Sequence, residues 1–321
     1  MEEKNQRFRQ EPRRRRGCGC GCCAGCLGAF VLILVVLAVL GVFFYNDIRS
    51  AFNGFQQTIS QENLRQQPVN LAAGDPFSVL LLGIDSGDFE RTDQGRSDTI
   101  MLSSVNSHNN QTTILSIPRD TRVYINEVGY EDKLNHAYAY GGAGAAVNAV
   151  QSLLNVPIDY YITVDMAGLQ QLIDAIGGIQ LTPSIDVYQD GYQFIARQTL
   201  IVDGAGALAY VRNRQDDPRG DYGRQARQRE VVLATLNAVG SIDSLINYRP
   251  LLGTLEQAVT TNLSFEQLMT FFQNYRNVAD SVIEEQLNGE GITIDNIYYE
   301  VIPEAELNRV QQLLRGELEL S

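Results

Sequence analysis

One uncharged stretch, residues 17–46, limits what the rest of this chain can be. Its core, residues 27–45, reads LGAFVLILVVLAVLGVFFY and is almost wholly apolar. About 20 apolar residues span a bilayer as a helix, so residues 27–45 predict one transmembrane anchor in contact with a lipid bilayer. A cleaved signal peptide is the alternative, but its apolar region would have only about 7–15 residues and would end at small side chains.

Charges on either side of the apolar run predict its orientation. Four consecutive arginines, Arg13 to Arg16, precede the run, whereas Arg49 on the far side is offset by Asp47. Because basic residues favour the cytoplasmic side of a membrane, we expect residues 1–26 to form a cytoplasmic tail. The protein would then be a single-pass protein of the cell membrane, with the domain beyond the run outside the cytoplasm.

The part of the chain after the apolar run is strongly acidic. Residues 1–45 carry seven Lys/Arg and three Glu, and residues 46–321 carry 18 Lys/Arg and 35 Asp/Glu, which gives net charges of +4 and −17. Nucleic-acid binding domains usually carry a basic face, so we expect no nucleic acid as a partner. All five cysteines precede residue 27, so the domain is expected to hold no disulfide.

Hydrophobic patterns predict a domain of strands mixed with helices. Residues 46–75 are expected to be a stalk or linker, 76–305 a catalytic domain, and 306–321 a C-terminal tail. Apolar runs bounded by turn signals predict strands, and apolar residues at helical spacing predict helices. The predicted strands are 77–85, 99–106, 112–118, 160–165 and 292–303. The predicted helices are 143–154, 166–178, a short one before residue 212, 224–239, and two stretches within 243–287, in one of which Ser264 and Gln267 fit a capping box. This mixture indicates an α/β or α+β domain.

Residues 211–230 concentrate positive charge in an otherwise acidic domain. The segment holds six arginines: Arg212, Arg214, Arg219, Arg224, Arg227 and Arg229. Guanidinium groups can bind two phosphate oxygens at once, so bound phosphate is the first explanation. The alternative is an internal salt-bridge network with the aspartates of the same segment, Asp216, Asp217 and Asp221.

Two aspartates at predicted strand ends are candidates for a metal site. Asp85 closes the first predicted strand and Asp98 immediately precedes the second. Mg²⁺ prefers oxygen ligands and takes one or two carboxylates together with phosphates and water. The pair therefore predicts a Mg²⁺ site, with Mn²⁺ as the alternative metal. Capping of a turn or a helix is the other explanation for each aspartate.

Further phosphate candidates lie between these segments. Arg119 follows the third predicted strand. Lys133 is the only lysine after the N-terminal tail, which indicates either a point-charge contact with phosphate or an ordinary surface lysine. No GxSxG, Walker-type or HExxH motif occurs, which argues against triad hydrolases and zinc enzymes.

Five segments resemble, in order and spacing, the motifs of the LytR–CpsA–Psr family. They are LLLGID (80–85), GRSDTIML (95–102), SIPRDT (116–121), KLNHAYAYGG (133–142) and YVRNRQDDPRGDYGRQARQRE (210–230). The resemblance covers about residues 76–240 and is loose after residue 241. It implies a three-layer α/β/α extracytoplasmic domain with a central mixed sheet, preceded by one transmembrane helix.

The resemblance also implies a Mg-dependent phosphotransferase. Such an enzyme would transfer a glycopolymer, for example a teichoic acid or a capsular polysaccharide, from an undecaprenyl-pyrophosphate carrier to peptidoglycan. The product would be a phosphodiester. A hydrolase of the lipid pyrophosphate and a regulatory or attenuator protein of the cell envelope are the alternatives.

Family roles carry over to residues of the five motifs. Asp85 and Asp98 match the aspartates associated with the metal. The expected pyrophosphate ligands are Arg119, Lys133, Arg212, Arg214, Arg224 and Gln228, of which Lys133 is added because of its residue type alone. The expected catalytic residues are Asp98, Arg119, Arg212 and Arg214. The roles of Asp221 and Asn135 stay open, and Arg219, Arg227 and Arg229 are expected to be surface charge.

Overall fold

The computed structural model describes residues 56–85, 95–213, 216–239 and 258–320, with a few single positions at 46–54 and 253–256. Arg49–Ser321 forms one compact unit. The predicted anchor, residues 27–45, lies outside the described residues. Among the residues that are described, no helix is both long and apolar enough to cross a membrane.

Strands and helices are mixed along the described chain. The strands are β1 (Phe77–Asp85), β2 (Arg96–Asn106), β3 (Gln111–Ser116), β4 (Arg122–Ile125), β5 (Tyr130–Lys133), β6 (Tyr160–Asp165), β7 (Ile179–Leu181), β8 (Val187–Gln189), β9 (Tyr192–Phe194), β10 (Leu200–Val202), β11 (Val259–Thr261), β12 (Val282–Gln286), β13 (Glu290–Ile294) and β14 (Ile297–Val301). The helices are α1 (Leu134–Leu154), α2 (Met166–Ala175), α3 (Gly204–Arg212), α4 (Asp221–Val239), α5 (Phe265–Asn274) and α6 (Glu304–Glu317).

Six strands form the central sheet, in the order β11-β6-β1-β2-β3-β12. The neighbours β1, β2 and β3 run antiparallel, as expected for strands joined by short connections. β6 is parallel to β1 and β12 is parallel to β3, so the sheet is mixed. The predicted central mixed sheet is therefore confirmed.

Helices cover both faces of this sheet. On one face, Leu80 and Leu82 of β1 share a buried core with Val150 of α1 and Leu314 of α6. These apolar residues alternate along β1, which places them on one side of the strand. On the opposite face, Gly83 lies against the Met166 side chain of α2, where an added Cβ would approach within 2.9 Å.

The second face is also covered by α4, which packs against the sheet. Arg229 of α4 donates from Nη1 to the hydroxyl of Ser116 on β3 at 2.6 Å. A smaller apolar cluster packs α2, α3 and α4 together around Ile173, Leu208 and Val231. The sheet therefore has α1 and α6 on one side and α2 and α4 on the other.

The chain before β1 and the last helix both contact this unit. Arg65 forms a two-pronged ion pair with Asp159, at 2.5 and 2.9 Å. Gln61 donates to the carbonyl of Ile158 at 2.9 Å. At the other end, Val310 of α6 is fully buried in the main core.

In the C-terminal third, one strand was not predicted and another prediction is wrong. Residues 282–286, for which no strand was predicted, form β12 at one edge of the sheet. That strand is mostly exposed and carries Glu284 and Glu285, so it shows no apolar periodicity to identify it. Residues 292–303, predicted as one strand, form a hairpin that turns at Asp295 and Asn296, which have φ of 50° and 63°. Two consecutive residues in this left-handed conformation are typical of a type I′ hairpin turn.

Two helix starts illustrate how local sequence decides structure. Ser264 caps α5 by accepting from the Gln267 backbone N–H, while the Gln267 side chain accepts from Ser264 in return. This capping box is confirmed as predicted. α1 begins at Leu134 rather than at 143, because the helix passes through a kink at Gly141 and Gly142 instead of starting there.

Candidate functional site

The candidate site lies where β1 ends and β2 begins. Asp85 is the last residue of β1 and pairs with Arg96, the first residue of β2. The register between the two strands shifts at Gly83 and Ile84, so Asp98 has no opposite residue. A bulge of this kind re-aims a side chain. It places Asp98, which is 22% exposed, at the rim of the sheet.

Asp98 is held by two neighbours that the sequence also singled out. Nη1 of Arg119 donates to Oδ2 of Asp98 at 2.8 Å. Nδ2 of Asn135 donates to Oδ1 at 3.2 Å. Asn135 lies in the first turn of α1, and its backbone N–H donates to the carbonyl of Arg119 at 3.0 Å. The start of α1 and the loop after β3 are therefore fixed to each other around Asp98.

A second ion pair adjoins the first. Nζ of Lys133 donates to Oδ1 of Asp120 at 2.8 Å, and both side chains are 19% exposed. Nε of Arg119 lies 3.6 Å from the other oxygen of Asp120. Lys133 is thus a partly buried member of the same group and not an ordinary surface lysine.

α4 contributes a third pair. Nη2 and Nε of Arg224 donate to Oδ1 of Asp221 at 2.6 and 3.0 Å, and Arg224 is 4% exposed. Burial would raise the pKa of Asp221, but Arg224, a hydrogen bond from Gln225 and the charge of Arg119 lower it overall. Burial and the nearby Arg119 lower the pKa of Arg224. The charge of Arg119 therefore acts on both members of the α4 pair.

Seven residues thus form one group, which we call the site cluster. Its members are Asp98, Arg119, Asp120, Lys133, Asn135, Asp221 and Arg224. The cluster holds three cationic side chains and three carboxylates. Burial would lower the pKa of Arg119, but Asp98, Asp221 and Asp120 raise it overall, so Arg119 stays charged.

Unsatisfied polar atoms lie in this cluster and on the helix next to it. Among the described residues, seven buried side-chain N or O atoms have no hydrogen-bond partner, and three of them are Nε of Arg119, Oδ1 of Asn135 and Oε1 of Gln228. Gln228 is 7% exposed and follows Arg224 by one helical turn. An unpartnered buried polar atom costs about 1–3 kcal/mol. Such atoms mark a place where a ligand or an ion can supply the missing partner.

Four predicted site residues, Asp85, Arg212, Arg214 and Gln228, are not members of the site cluster. Asp85 is exposed at the end of β1, one strand away from Asp98. Arg212 is exposed at the end of α3. Arg214 lies outside the residues that the structure describes. Asn213, which follows Arg212, is buried.

The expectation that Arg219, Arg227 and Arg229 are surface charge is wrong for two of the three. Arg227 is fully buried, and its Nη1 donates to Asp217, also fully buried, at 2.6 Å. Its other nitrogens donate to the carbonyls of Tyr210 and Asn213 at 3.1 and 2.6 Å. Arg229 is 8% exposed and bonded to β3, as described above. Only Arg219, with a side chain 50% exposed, lies at the surface.

The helix period explains this error. Arg227 and Arg229 lie on faces of α4 that pack against α3 and the sheet, but arginine gives no apolar signal from which burial could be predicted. Their burial is tolerated because Arg227 donates to two carbonyls and a carboxylate, and Arg229 donates to a hydroxyl, an amide oxygen and a carboxylate. The salt-bridge alternative therefore holds for Arg219 and Arg227, which both bind Asp217, while Arg224 pairs with Asp221 within the site cluster.

Sequence reasoning also missed residues near the cluster. Tyr298 lies over Lys133, with Nζ 6.0 Å from the ring centre. Glu300 donates from its backbone N–H to the carbonyl of Asp120 at 2.9 Å. Both residues lie on β14, about 165 residues after Lys133 in the sequence. No local pattern could indicate that this hairpin reaches the site.

Comparison with known proteins agrees with these motifs. The sequence profile described as the LytR_cpsA_psr family matches residues 42–316. A relative from Enterococcus faecalis, named polyisoprenyl-teichoic acid–peptidoglycan teichoic acid transferase TagU, is 41% identical over 291 residues, which cover 91% of this chain and 95% of the relative.

Two solved structures resemble the fold described above. A crystal structure from Enterococcus faecalis, described as a transcriptional regulator, has a TM-score of 0.70 and 42% identity, covering 79% of this chain and 91% of its own. A structure described as TagT bound to LIIa-WTA has a TM-score of 0.66 and 30% identity, covering 81% of this chain and 97% of its own. Taken together with the five ordered motifs, these matches show that the chain belongs to the LytR–CpsA–Psr family.

Proposed function

We propose that this protein transfers a teichoic acid from a polyisoprenyl-pyrophosphate carrier to peptidoglycan. The observation that carries the proposal is the site cluster, where the partly buried Arg119 and the buried Arg224 accompany unpartnered polar atoms. The name of the Enterococcus faecalis relative supports the same donor and acceptor. The apolar run at residues 27–45 supports a membrane-anchored enzyme, which would keep the site near a lipid-linked donor.

The site cluster as described has no net charge, so it needs additional cations to bind a pyrophosphate. Three cations balance three carboxylates in the cluster as described. A pyrophosphate that links a lipid to a sugar carries one negative charge on each phosphate. Binding it to a balanced cluster requires further positive charge, which Arg212, Arg214 and a divalent cation would supply. We propose these three as the completing partners.

The proposed reaction is a phosphoryl transfer with an intact polymer. A sugar hydroxyl of the acceptor attacks the phosphorus that carries the polymer, and the bond from that phosphorus to the bridging oxygen breaks. The lipid leaves as a monophosphate, and the new bond is a phosphodiester. Arg119 and Arg224 would neutralise the phosphate oxygens, because positioning and charge neutralisation dominate such reactions.

Asp98 is the proposed acceptor of the hydroxyl proton. It reaches the rim of the sheet beside Arg119, and the lowered pKa of Asp221 makes Asp221 the poorer base. Arg119 and Asn135 fix both oxygens of Asp98 in position. Asp98 would take the proton as the hydroxyl attacks.

The residues around Asp98 suit a Mg²⁺ ion. Asp85 and Asp98 offer two carboxylates from neighbouring strands, and Oδ1 of Asn135 is an amide oxygen without a hydrogen-bond partner. Mg²⁺ takes few protein carboxylates and completes its shell with phosphate and water. We propose Asp85 and Asp98 as its ligands; when bound, the ion would neutralise charge on the pyrophosphate.

Chelation of divalent ions is expected to abolish transfer. We expect an excess of EDTA to reduce the rate by at least about 100-fold, and added Mg²⁺ or Mn²⁺ to restore it. Asp85→Asn should raise the Mg²⁺ concentration needed for half-maximal rate, as titration of the rate would measure. An unchanged Mg²⁺ requirement in Asp85→Asn would remove Asp85 from the metal site. Isothermal titration of Mg²⁺ binding without donor gives a second readout.

The transfer itself can be tested with the full chain in detergent. Lipid-linked teichoic acid and soluble peptidoglycan glycan strands should give polymer covalently joined to the strands through phosphate. Mass spectrometry would identify the product, and the released lipid monophosphate should appear in equal amount. Release of lipid monophosphate at the same rate without strands would instead identify a pyrophosphate hydrolase.

A regulatory role is the competing function, because one similar structure is described as a transcriptional regulator. The charge of −17 on residues 46–321 argues against direct contact of this part with DNA. Binding of the full chain to duplex DNA at physiological salt would support the regulatory role. If the protein binds DNA and transfers no polymer, the regulatory role would replace the proposed transferase function.

A further inference from the structure

Tyr298 is an exposed aromatic side chain held beside the site cluster. It is 48% exposed, although it lies in the hairpin that contacts Asp120. Lys133 Nζ lies 6.0 Å from the ring centre and its ammonium binds Asp120 at 2.8 Å. The ring therefore lies next to the cluster with about half of its surface open to solvent.

Glu300 fixes the orientation of this ring. Glu300 is 6% exposed, and Tyr298 donates its hydroxyl to Oε2 of Glu300 at 2.5 Å. The other oxygen, Oε1, accepts a hydrogen bond from Tyr222. The bond to Glu300 raises the pKa of Tyr298 to about 12, so the phenol remains a donor at neutral pH. An exposed ring with its polar end anchored loses little conformational freedom on binding.

Tyr222 connects the same carboxylate to the functional helix. It follows Asp221 on α4, and its hydroxyl also accepts from the N–H of Gly289 at 2.9 Å. The hairpin is thereby linked both to the loop that carries Asp120 and to the start of α4. Tyr298 is held by the same elements that position the phosphate-binding residues.

We propose that Tyr298 is a stacking platform for a pyranose ring of the acceptor glycan. The inference rests on the proposed function, which requires a sugar hydroxyl next to the phosphate. The C–H face of a pyranose is apolar and packs on an aromatic face, while its hydroxyl groups need polar partners at the edge. Tyrosine suits such a ligand because it combines an apolar body with a polar end.

Charge around Tyr298 favours a sugar over a second stretch of anionic polymer. Residues 290–301 carry Glu290, Asp295 and Glu300 and contain no lysine or arginine, and the Lys133 ammonium near the ring is already paired with Asp120. A polyanion would be repelled by these carboxylates, whereas hydroxyl groups can donate hydrogen bonds to them. The acceptor glycan is therefore the partner that this surface fits.

Tyr298→Ala should raise the KM for soluble peptidoglycan glycan strands by about tenfold, as expected for one aromatic contact. The KM for the lipid-linked donor and kcat at saturating strands should change less than twofold. Tyr298→Phe, which keeps the ring, should stay within about threefold of the parent protein. Thermal unfolding of each variant would confirm that the fold is retained.

Tyr124→Ala is the matched control. Tyr124 is 52% exposed, and its hydroxyl lies near Gly129, at the end of the β4–β5 hairpin away from Lys133. This variant should leave both KM values unchanged. The proposal would be overturned if Tyr124→Ala raised the KM for glycan strands as much as Tyr298→Ala does. It would also be overturned if Tyr298→Ala raised the KM for the donor as much as the KM for the strands.

Binding without chemistry separates this inference from the proposed function. Saturation-transfer NMR with the full chain and the same glycan strands requires no donor and no turnover. Binding that is lost in Tyr298→Ala and kept in Tyr124→Ala supports the platform even if no polymer transfer occurs. Absence of binding by the parent protein, or equal binding by Tyr298→Ala, overturns the platform whether or not transfer occurs.

Discussion

Arg119→Ala is expected to lower kcat/KM for polymer transfer by about 10³-fold, the size typical of removing a cation that stabilises a phosphoryl-transfer transition state. Arg119 contacts Asp98 and Asp120 and carries an unpartnered buried Nε, so its guanidinium can bind phosphate while it orients Asp98. Steady-state rates with lipid-linked teichoic acid and glycan strands would measure the loss. Arg119→Lys keeps the charge but not the planar fork, and should recover only part of the rate.

Arg309→Ala is the control for loss of a surface arginine. Arg309 lies on α6 and forms ion pairs with Glu285 and Glu306 at 3.1 and 2.7 Å. We expect its transfer rate to remain within twofold of the parent protein. A rate for Arg119→Ala within tenfold of the parent, in a variant with normal thermal unfolding, would exclude Arg119 from the reaction.

Arg227→Met is expected to lower the free energy of unfolding by about 3–5 kcal/mol, since it breaks a buried ion pair and removes only one partner. Asp217 would keep its charge in a fully buried position with only Arg219 as a cationic partner. The carbonyls of Tyr210 and Asn213 would lose the donors that satisfy them. Urea unfolding followed by far-UV circular dichroism would measure the change.

Arg219→Ala provides the contrast at the same carboxylate. Arg219 also binds Asp217, at 3.0 Å, but its side chain is 50% exposed. Exposed ion pairs contribute about 0–1 kcal/mol, so this variant should lose no more than that. If both variants lost the same free energy of unfolding, the burial of Arg227 would not explain the stability that its ion pair with Asp217 provides.

The pH dependence of the Arg227 effect has a defined sign. Burial would raise the pKa of Asp217, but Arg219 and Arg227 lower it overall. A carboxylate with a lowered pKa in the folded state stabilises the protein fully above its ordinary pKa, about 3.9. That contribution disappears as the pH falls below 3.9 towards the lowered value. The difference between the parent protein and Arg227→Met should therefore narrow in acid.

The central part of the fold follows from local sequence. β1 was predicted with the correct bounds, because FSVLLLGID is a continuous apolar run that a turn signal ends. α5 was predicted from its capping box, which depends on two residues three positions apart. Each of these two patterns lies within about ten consecutive residues, so both elements can be predicted without knowledge of tertiary contacts.

Long-range partners explain what could not be predicted. Asp98, Arg119 and Arg224 were singled out by residue type and by their motifs, yet their mutual contacts depend on a bulge in β1 and β2 and on the packing of α4. The burial of Arg227 depends on carbonyl groups of α3 that no spacing rule identifies. Tyr298 reaches the cluster through the pairing of Glu300 with Asp120, across about 180 residues.

The parallel pairing of β3 with β12 has a consequence for how the chain is made. Gln286 of β12 donates to the carbonyl of Ser116 on β3, across 170 residues of sequence. During synthesis, β3 emerges from the ribosome long before β12, the strand that pairs with its free edge. Its open backbone groups would pair readily with other chains in that interval. A nascent chain that stops before residue 282 should therefore aggregate. Folding without aggregation requires that residues 282–286 have been synthesised.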